Sequence, residues 1–159
     1  MPGLPALGPR GEGWVAIQSV LLVVVGATGS SFPSASPMPG AIVAAGYACI
    51  VAGLLLVAAG IVTLARHDAF TALPRPRDAA SLVETGIYRL VRNPVYGGLV
   101  LAGLGWALVQ GSVAALVADA VLLLFFDLKR RREEAWLVER FPGYAAYRAR
   151  TRRLIPWLY

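Results

Sequence analysis

Arg89, Arg92 and Asn93, flanked by Tyr88 and Tyr96, stand where a polar segment gives way to a long apolar one. Guanidinium groups bind anions through paired, charge-assisted hydrogen bonds. The apolar side suits a greasy substrate, so this junction can hold an anionic ligand and a lipophilic one together. Pro94 disfavours helical geometry at Asn93, so a helix through 88–92 must stop there. Asn93 is then a good N-cap, and Pro94 suits the first turn of the next helix. The free N–H groups of that helix start, beside Arg89 and Arg92, make a natural anion site. Tyr88 and Arg92, four residues apart, share a face. Arginine and tyrosine also serve as plain interfacial anchors, and these residues alone leave that reading open.

A second cluster lies near the end of the chain: Glu133, Glu134 and Leu137, then Phe141, Tyr144 and Tyr147, then the arginines of 150–153 and Ile155-Pro156. Lys129 with Glu133 and Arg130 with Glu134 have the spacing of ion pairs on a solvated helix. Glu133, Leu137 and Phe141 share one helical face. The pattern predicts an amphipathic helix over 127–150, broken near Phe141-Pro142-Gly143.

The elements that position these clusters belong to a membrane. Hydrophobic residues make up 57% of the 159-residue chain and charged ones 15%, with a mean hydropathy of +0.63. Residues 40–65 carry no charge and are long enough to cross a bilayer core. Residues 15–29 form a shorter apolar stretch, with Trp14 placed as an interfacial anchor. The run 95–126, broken only by Asp119, is too long for one comfortable span, and Gln110-Gly111-Ser112 reads as a turn. The expected fold is an all-α membrane protein of about four transmembrane helices, near 14–30, 41–65, 94–110 and 112–128. Residues 66–93 are a cytoplasmic connector, broken by Pro74 and Pro76, and 129–159 a cytoplasmic C-terminal cap.

With that hairpin all fifteen Lys and Arg residues fall on one face, whereas 30–39 carries no charge. The positive-inside bias puts both termini in the cytoplasm, in a cell's inner membrane. The net charge of +6 is thus a topology signal, and no nucleic-acid partner is expected. The first span is expected to be retained, since its upstream charge is weak for a cleaved signal. The single Cys49 permits no intramolecular disulfide, and the lone His67, without ligand partners, makes no metal site. Asp119 is expected to be structural, either protonated or hydrogen-bonded to Gln110 or Ser112, and the glycines at 97, 98, 103 and 105 permit close helix packing or cofactor approach.

Together the clusters resemble the isoprenylcysteine carboxyl methyltransferase and phospholipid methyltransferase superfamily of membrane enzymes. That family carries Gly-x-Tyr-Arg-x-x-Arg-His/Asn-Pro-x-Tyr before a helical hairpin, then Glu-Glu-x-x-Leu-x-x-x-Phe-Gly, Tyr-x-x-Tyr and a closing Ile-Pro. Here 86–96 match the first part; Glu133, Glu134, Leu137 and Phe141 match the second; Tyr144, Tyr147 and Ile155-Pro156 match the rest. Asn93 stands where eukaryotic members often carry histidine, the Phe141-to-Tyr144 spacing is one residue short, and Arg152 replaces a common proline.

The resemblance implies S-adenosylmethionine as methyl donor, in a cytoplasmic pocket between the hairpin and the C-terminal segment, and a lipophilic or membrane-lipid acceptor. It implies that the donor's carboxylate meets Arg92 or the helix start at Asn93-Pro94, and its ribose Glu133 or Glu134. Its sulfonium then lies against Tyr88, Tyr96 or Tyr147, with Arg153 or Arg89 steering an anionic acceptor. Two other readings stay open: an NADPH-dependent reductase related to the sterol reductases, and a non-enzymatic four-helix protein such as a small transporter or assembly factor.

Overall fold

The structure is a computed structural model in which residues 5–69, 71, 73 and 81–156 are described. It is all-helical: α1 (Glu12–Ser31), α2 (Gly40–Arg66), α3 (Pro94–Gln110), α4 (Val113–Arg140) and α5 (Tyr144–Arg150), with a 3-10 turn at Gly86–Arg89 ahead of α3. The proline-broken part of the connector, with Pro74 and Pro76, lies outside the described residues, as do residues 157–159 of the tail.

By length and composition α1 and α2 can each cross a membrane, and α3 is a shorter apolar helix. Much of the apolar surface of α1 and α2 faces outward: Val20 and Val23 of α1 are 62% and 69% exposed, and Leu55 of α2 is 66% exposed. Contiguous apolar surface of this kind is rare on a water-soluble monomer, and a lipid environment covers it.

Glycine brings α2 and α3 together. Gly46, Gly53 and Gly60 are the buried residues of α2, at seven-residue steps. A methyl group added at Gly53 would stand 2.5 Å from the Gly98 carbonyl oxygen, and one at Gly46 2.9 Å from that of Gly105. The two backbones therefore touch, as small residues permit between membrane helices. Packing, not cofactor approach, explains Gly98 and Gly105.

α1 closes the other side of the bundle. Trp14, Val25, Val100, Leu122, Phe125 and Phe126 form the core there. Trp14 is not the surface anchor expected from its position: it is 4% exposed, its ring lies 5.5 Å from that of Phe125, and its Nε1–H donates to the Pro5 carbonyl. A large apolar ring gains more from the helix interface than from its edge.

The hairpin between α3 and α4 turns at Gly111, whose φ of 60° is left-handed and suits glycine. Ser112 caps α4 by accepting from the Ala115 N–H. Gln110 and Ser112 spend their side chains on the carbonyls of Gly29 and Thr28, at the end of α1. Asp119 therefore bonds neither, contrary to one of its two expected states; its Oδ1 is buried against Gly103 without a hydrogen-bond partner among the described residues.

α4 continues unbroken from apolar residues into the charged stretch and ends at Phe141, where Pro142 and Gly143 turn the chain into α5. The tail then returns to the start of α3. Val91 and Arg152 form a parallel bridge, with Arg92 N–H donating to the Arg152 carbonyl, Asn93 N–H to that of Arg153, and Arg152 N–H to that of Leu90. Nothing in the residue pattern had suggested extended pairing here.

Candidate active site

Where α4 leaves the apolar region, a cavity of about 310 Å³ opens, at the small end of ligand-pocket sizes. Both sequence clusters meet in it. Tyr88, Arg92, Asn93 and Tyr96 come from the first; Glu133, Leu137, Phe141, Tyr144 and Tyr147 come from the second. Gln18 of α1, Ile61 and Leu64 of α2, Lys129 of α4 and connector residues such as Leu73 and Val83 add to the wall. The face shared by Glu133, Leu137 and Phe141 is thus the face that α4 turns to the cavity.

Six of the eight residues expected to hold the cofactor line this space: Tyr88, Arg92, Asn93, Tyr96, Glu133 and Tyr147. Pro94 does not; it is buried under Gly60 at the first turn of α3. Glu134 does not either, and it sits instead in a separate groove on the outside of α4. Arg89 is exposed on the 3-10 turn and Arg153 is exposed in that outer groove, so neither arginine expected to steer the acceptor lines the cavity.

Arg92 is committed to the protein itself. Its Nε donates to Glu134 at 3.1 Å, and its Nη1 to the carbonyls of Arg148 at 2.9 Å and Thr151 at 2.5 Å. It thereby collects the orphan carbonyls at the end of α5, a task suited to a guanidinium fork. Glu134 also takes Arg130 at 3.2 Å. Arg92, which also lines the cavity, is thus a brace between α4, α5 and the start of α3.

Asn93 occupies the N-cap position of α3, but its side chain caps nothing. Its Nδ2 instead donates to the Arg153 carbonyl at 3.3 Å. Close by, the Leu154 carbonyl presses on Gly97, where an added methyl would come within 1.9 Å of it. Tail carbonyls thus pack beside the helix start, at the N-cap and against Gly97.

Lys129 and Glu133 are not on a solvated face. Lys129 is 1% exposed; its Nζ donates to Gln18 Oε1 and lies 4.9 Å from the Tyr96 ring centroid. Tyr96 also stacks on Phe126 with centroids 4.5 Å apart and donates its hydroxyl to Glu133 Oε1 at 2.5 Å. A cation of the chain thus already engages the Tyr96 ring. Burial pushes the Glu133 carboxyl up to about 7, against the opposing pull of Lys129 and of the Tyr96 hydrogen bond. Burial also lowers the Lys129 ammonium from its ordinary value, with Glu133 opposing.

Tyr147 donates to the Tyr88 carbonyl at 2.9 Å, locking α5 onto the 3-10 turn, and meets the Tyr144 ring edge-on at 5.7 Å. Desolvation raises the hydroxyls of Tyr88, Tyr144 and Tyr147 well above their ordinary value, so all three stay neutral. The cavity is rich in tyrosine rings and is lined by one carboxyl, Glu133, which burial moves toward neutrality.

Gln18 is the wall residue that sequence reasoning missed. Its signal was available: it is the one amide in the apolar stretch 15–29, and a polar side chain at membrane depth marks an interior site.

The family model for phospholipid methyltransferase matches residues 41–143, which run from α2 to the end of α4. A protein-S-isoprenylcysteine O-methyltransferase of Schizosaccharomyces pombe is 39% identical over 77 residues, covering 47% of this chain and 33% of that relative. The chain thus spans about a third of the length of the curated relative it matches. With the match covering more than half of the chain and taking in the first motif and Glu133-Glu134, the chain belongs to the phospholipid methyltransferase family of membrane methyltransferases.

Proposed function

We propose that the protein is an S-adenosylmethionine-dependent methyltransferase, with the donor in the aromatic cavity and a lipophilic acceptor arriving from the bilayer. One observation carries this reading: two clusters separated by a whole helical hairpin converge on one cavity, in a chain of this family. The donor brings an already activated sulfonium methyl, so the protein's task is to hold, orient and exclude water.

The residues present fit such a donor. Glu133 supplies a carboxylate acceptor for ribose hydroxyls, and the rings of Tyr88 and Tyr147 offer π-surface to a sulfonium. Glu134 acts through the frame it braces with Arg92, and Arg92 both braces that frame and faces the donor from the cavity wall. Arg89 and Arg153 lie outside the lining and draw an anionic acceptor through their field. In the membrane, α1, α2, α3 and the apolar half of α4 make four crossings, with termini and cavity on the cytoplasmic side, as the one-sided distribution of Lys and Arg favours. Prenylated cysteine, a phospholipid amine, a quinone-like phenol and a small thiol are the acceptor classes to compare.

The test is a titration of detergent-purified protein with S-adenosylmethionine and, in parallel, with NADPH. Saturable binding of the first is expected, weakened about tenfold or more in Glu133→Gln or Tyr88→Ala. Binding of NADPH alone would replace this reading with the reductase one. Labelled methyl transfer into a membrane lipid extract then identifies the acceptor.

A further inference from the structure

Outside the cavity, a second and open groove runs between the charged end of α4 and the segment formed by α5 and the tail. Six arginines line it (Arg92, Arg130, Arg131, Arg148, Arg152 and Arg153) against two carboxylates, Glu134 and Glu139. Glu134 is already shared by Arg92 and Arg130, and Asp127 beside the groove pairs with both Arg130 and Arg131, so the six arginines outnumber three carboxylates.

Two features make it more than a charged surface. Arg130 is 4% exposed; its terminal nitrogens meet Asp127 and Glu134, while its Nε has no hydrogen-bond partner among the described residues and stays a buried donor in the groove wall. Such a donor is costly to bury unless a ligand reaches it. Around it, Arg131 and Arg148 present side chains that are 60% and 56% exposed. The second feature is depth. Arg130 lies four residues beyond Phe126, the end of the apolar run, or about 6 Å along the helix, within the headgroup layer of a bilayer.

We propose that this groove binds a phosphate group, presented by the headgroup of an anionic phospholipid at the membrane surface. Guanidinium forks match phosphate oxygens in paired hydrogen bonds, and basic pockets between helices at this depth select anionic headgroups. The site is separate from the cavity and does not rest on methyl transfer. It is coupled to the cavity mechanically. The link is Arg130, which also holds Glu134 and through it Arg92 and the tail that covers the start of α3.

Thermal unfolding of the full chain in neutral detergent tests this, with added phosphatidylglycerol, phosphatidylcholine or inorganic phosphate as probes. Phosphatidylglycerol at about 100 times its dissociation constant is expected to raise the midpoint by roughly 5 °C, and phosphatidylcholine to leave it unmoved. The double variant Arg131→Gln/Arg152→Gln, which changes exposed side chains, loses the shift, while Arg66→Gln, an exposed arginine outside the groove, keeps it. Arg148→Gln reports separately if the double variant folds poorly. An equal shift with inorganic phosphate keeps the site and assigns its ligand to a soluble source. No shift with either phosphatidylglycerol or phosphate, or an undiminished shift in the groove variants, overturns the proposal.

Discussion

Arg92 Nε stands 3.1 Å from Glu134 Oε1, with side chains only 5% and 7% exposed, although the two residues are 42 positions apart. Each belongs to a different motif of the family pattern. Their pairing, with Arg92 on the α5 carbonyls, makes the first motif a fastener as much as a binding surface.

Arg92→Ala removes this fastener and leaves the Thr151 carbonyl without its guanidinium partner. A loss of about 3–5 kcal/mol is expected, typical of breaking a buried ion pair from one side. Arg92→Lys does not restore it, because one ammonium on a flexible stem cannot match three acceptors in a plane. Denaturant or thermal unfolding measures both variants; a midpoint equal to the parent's would remove the fastener role.

Glu133 predicts a pH dependence. Its carboxyl titrates near 7 in the folded protein against 4.5 in the unfolded chain. The folded state therefore binds the proton more tightly; this contribution is complete below pH 4.5 and is lost as pH rises through about 7. Glu133→Gln, neutral at every pH, flattens that slope and gains up to about 3 kcal/mol over the parent above pH 8, less where water fills the cavity. Unfolding midpoints from pH 5 to 9 check it, and parallel curves for parent and variant would refute it.

The α2–α3 contact predicts a contrast between two glycine-to-alanine changes. Gly53→Ala puts a methyl 2.5 Å from one backbone atom and 2.7 Å from another, neither of which can swing aside. Gly26→Ala on α1 meets nothing within 4 Å. The first variant is expected to lose yield and several degrees of thermal midpoint. The second gains slightly, since alanine favours helix by about 1 kcal/mol over glycine.

Gly97→Ala tests the tail. Its methyl collides with the Leu154 carbonyl, so the tail must lift from α3 while the helices stay packed. Limited trypsin digestion should then cut at Arg152 or Arg153 faster than in the parent, with helical content unchanged by circular dichroism. If digestion proceeds at the parent's rate, the tail is not held at this point.

What could be read from the residues was set by short-range physics. Pro94 starting α3, Gly111 turning the hairpin and the break at Pro142-Gly143 each follow from the backbone preferences of one or two residues. The two clusters were visible because their residue types and spacing are local. Long-range partners were not. The bridge of Val91 to Arg152 and the Lys129 bond to Gln18 join residues that no local pattern links. Trp14 was misplaced for the same reason, since an interfacial position along the chain says nothing about the helix packed beside it.

Glu133 and Glu134 mark the division most sharply. As neighbours of identical type they were interchangeable in the sequence, and both were expected to hold the donor. On a helix, adjacent residues point about 100° apart. One therefore faces the cavity and the other the arginine groove. Sequence alone determined that a carboxylate pair would stand at the end of the hairpin, because composition and helical period are local properties. The packing of α4 against its neighbours decided which carboxylate meets the cavity and which the brace, because that depends on the rotation of the whole helix.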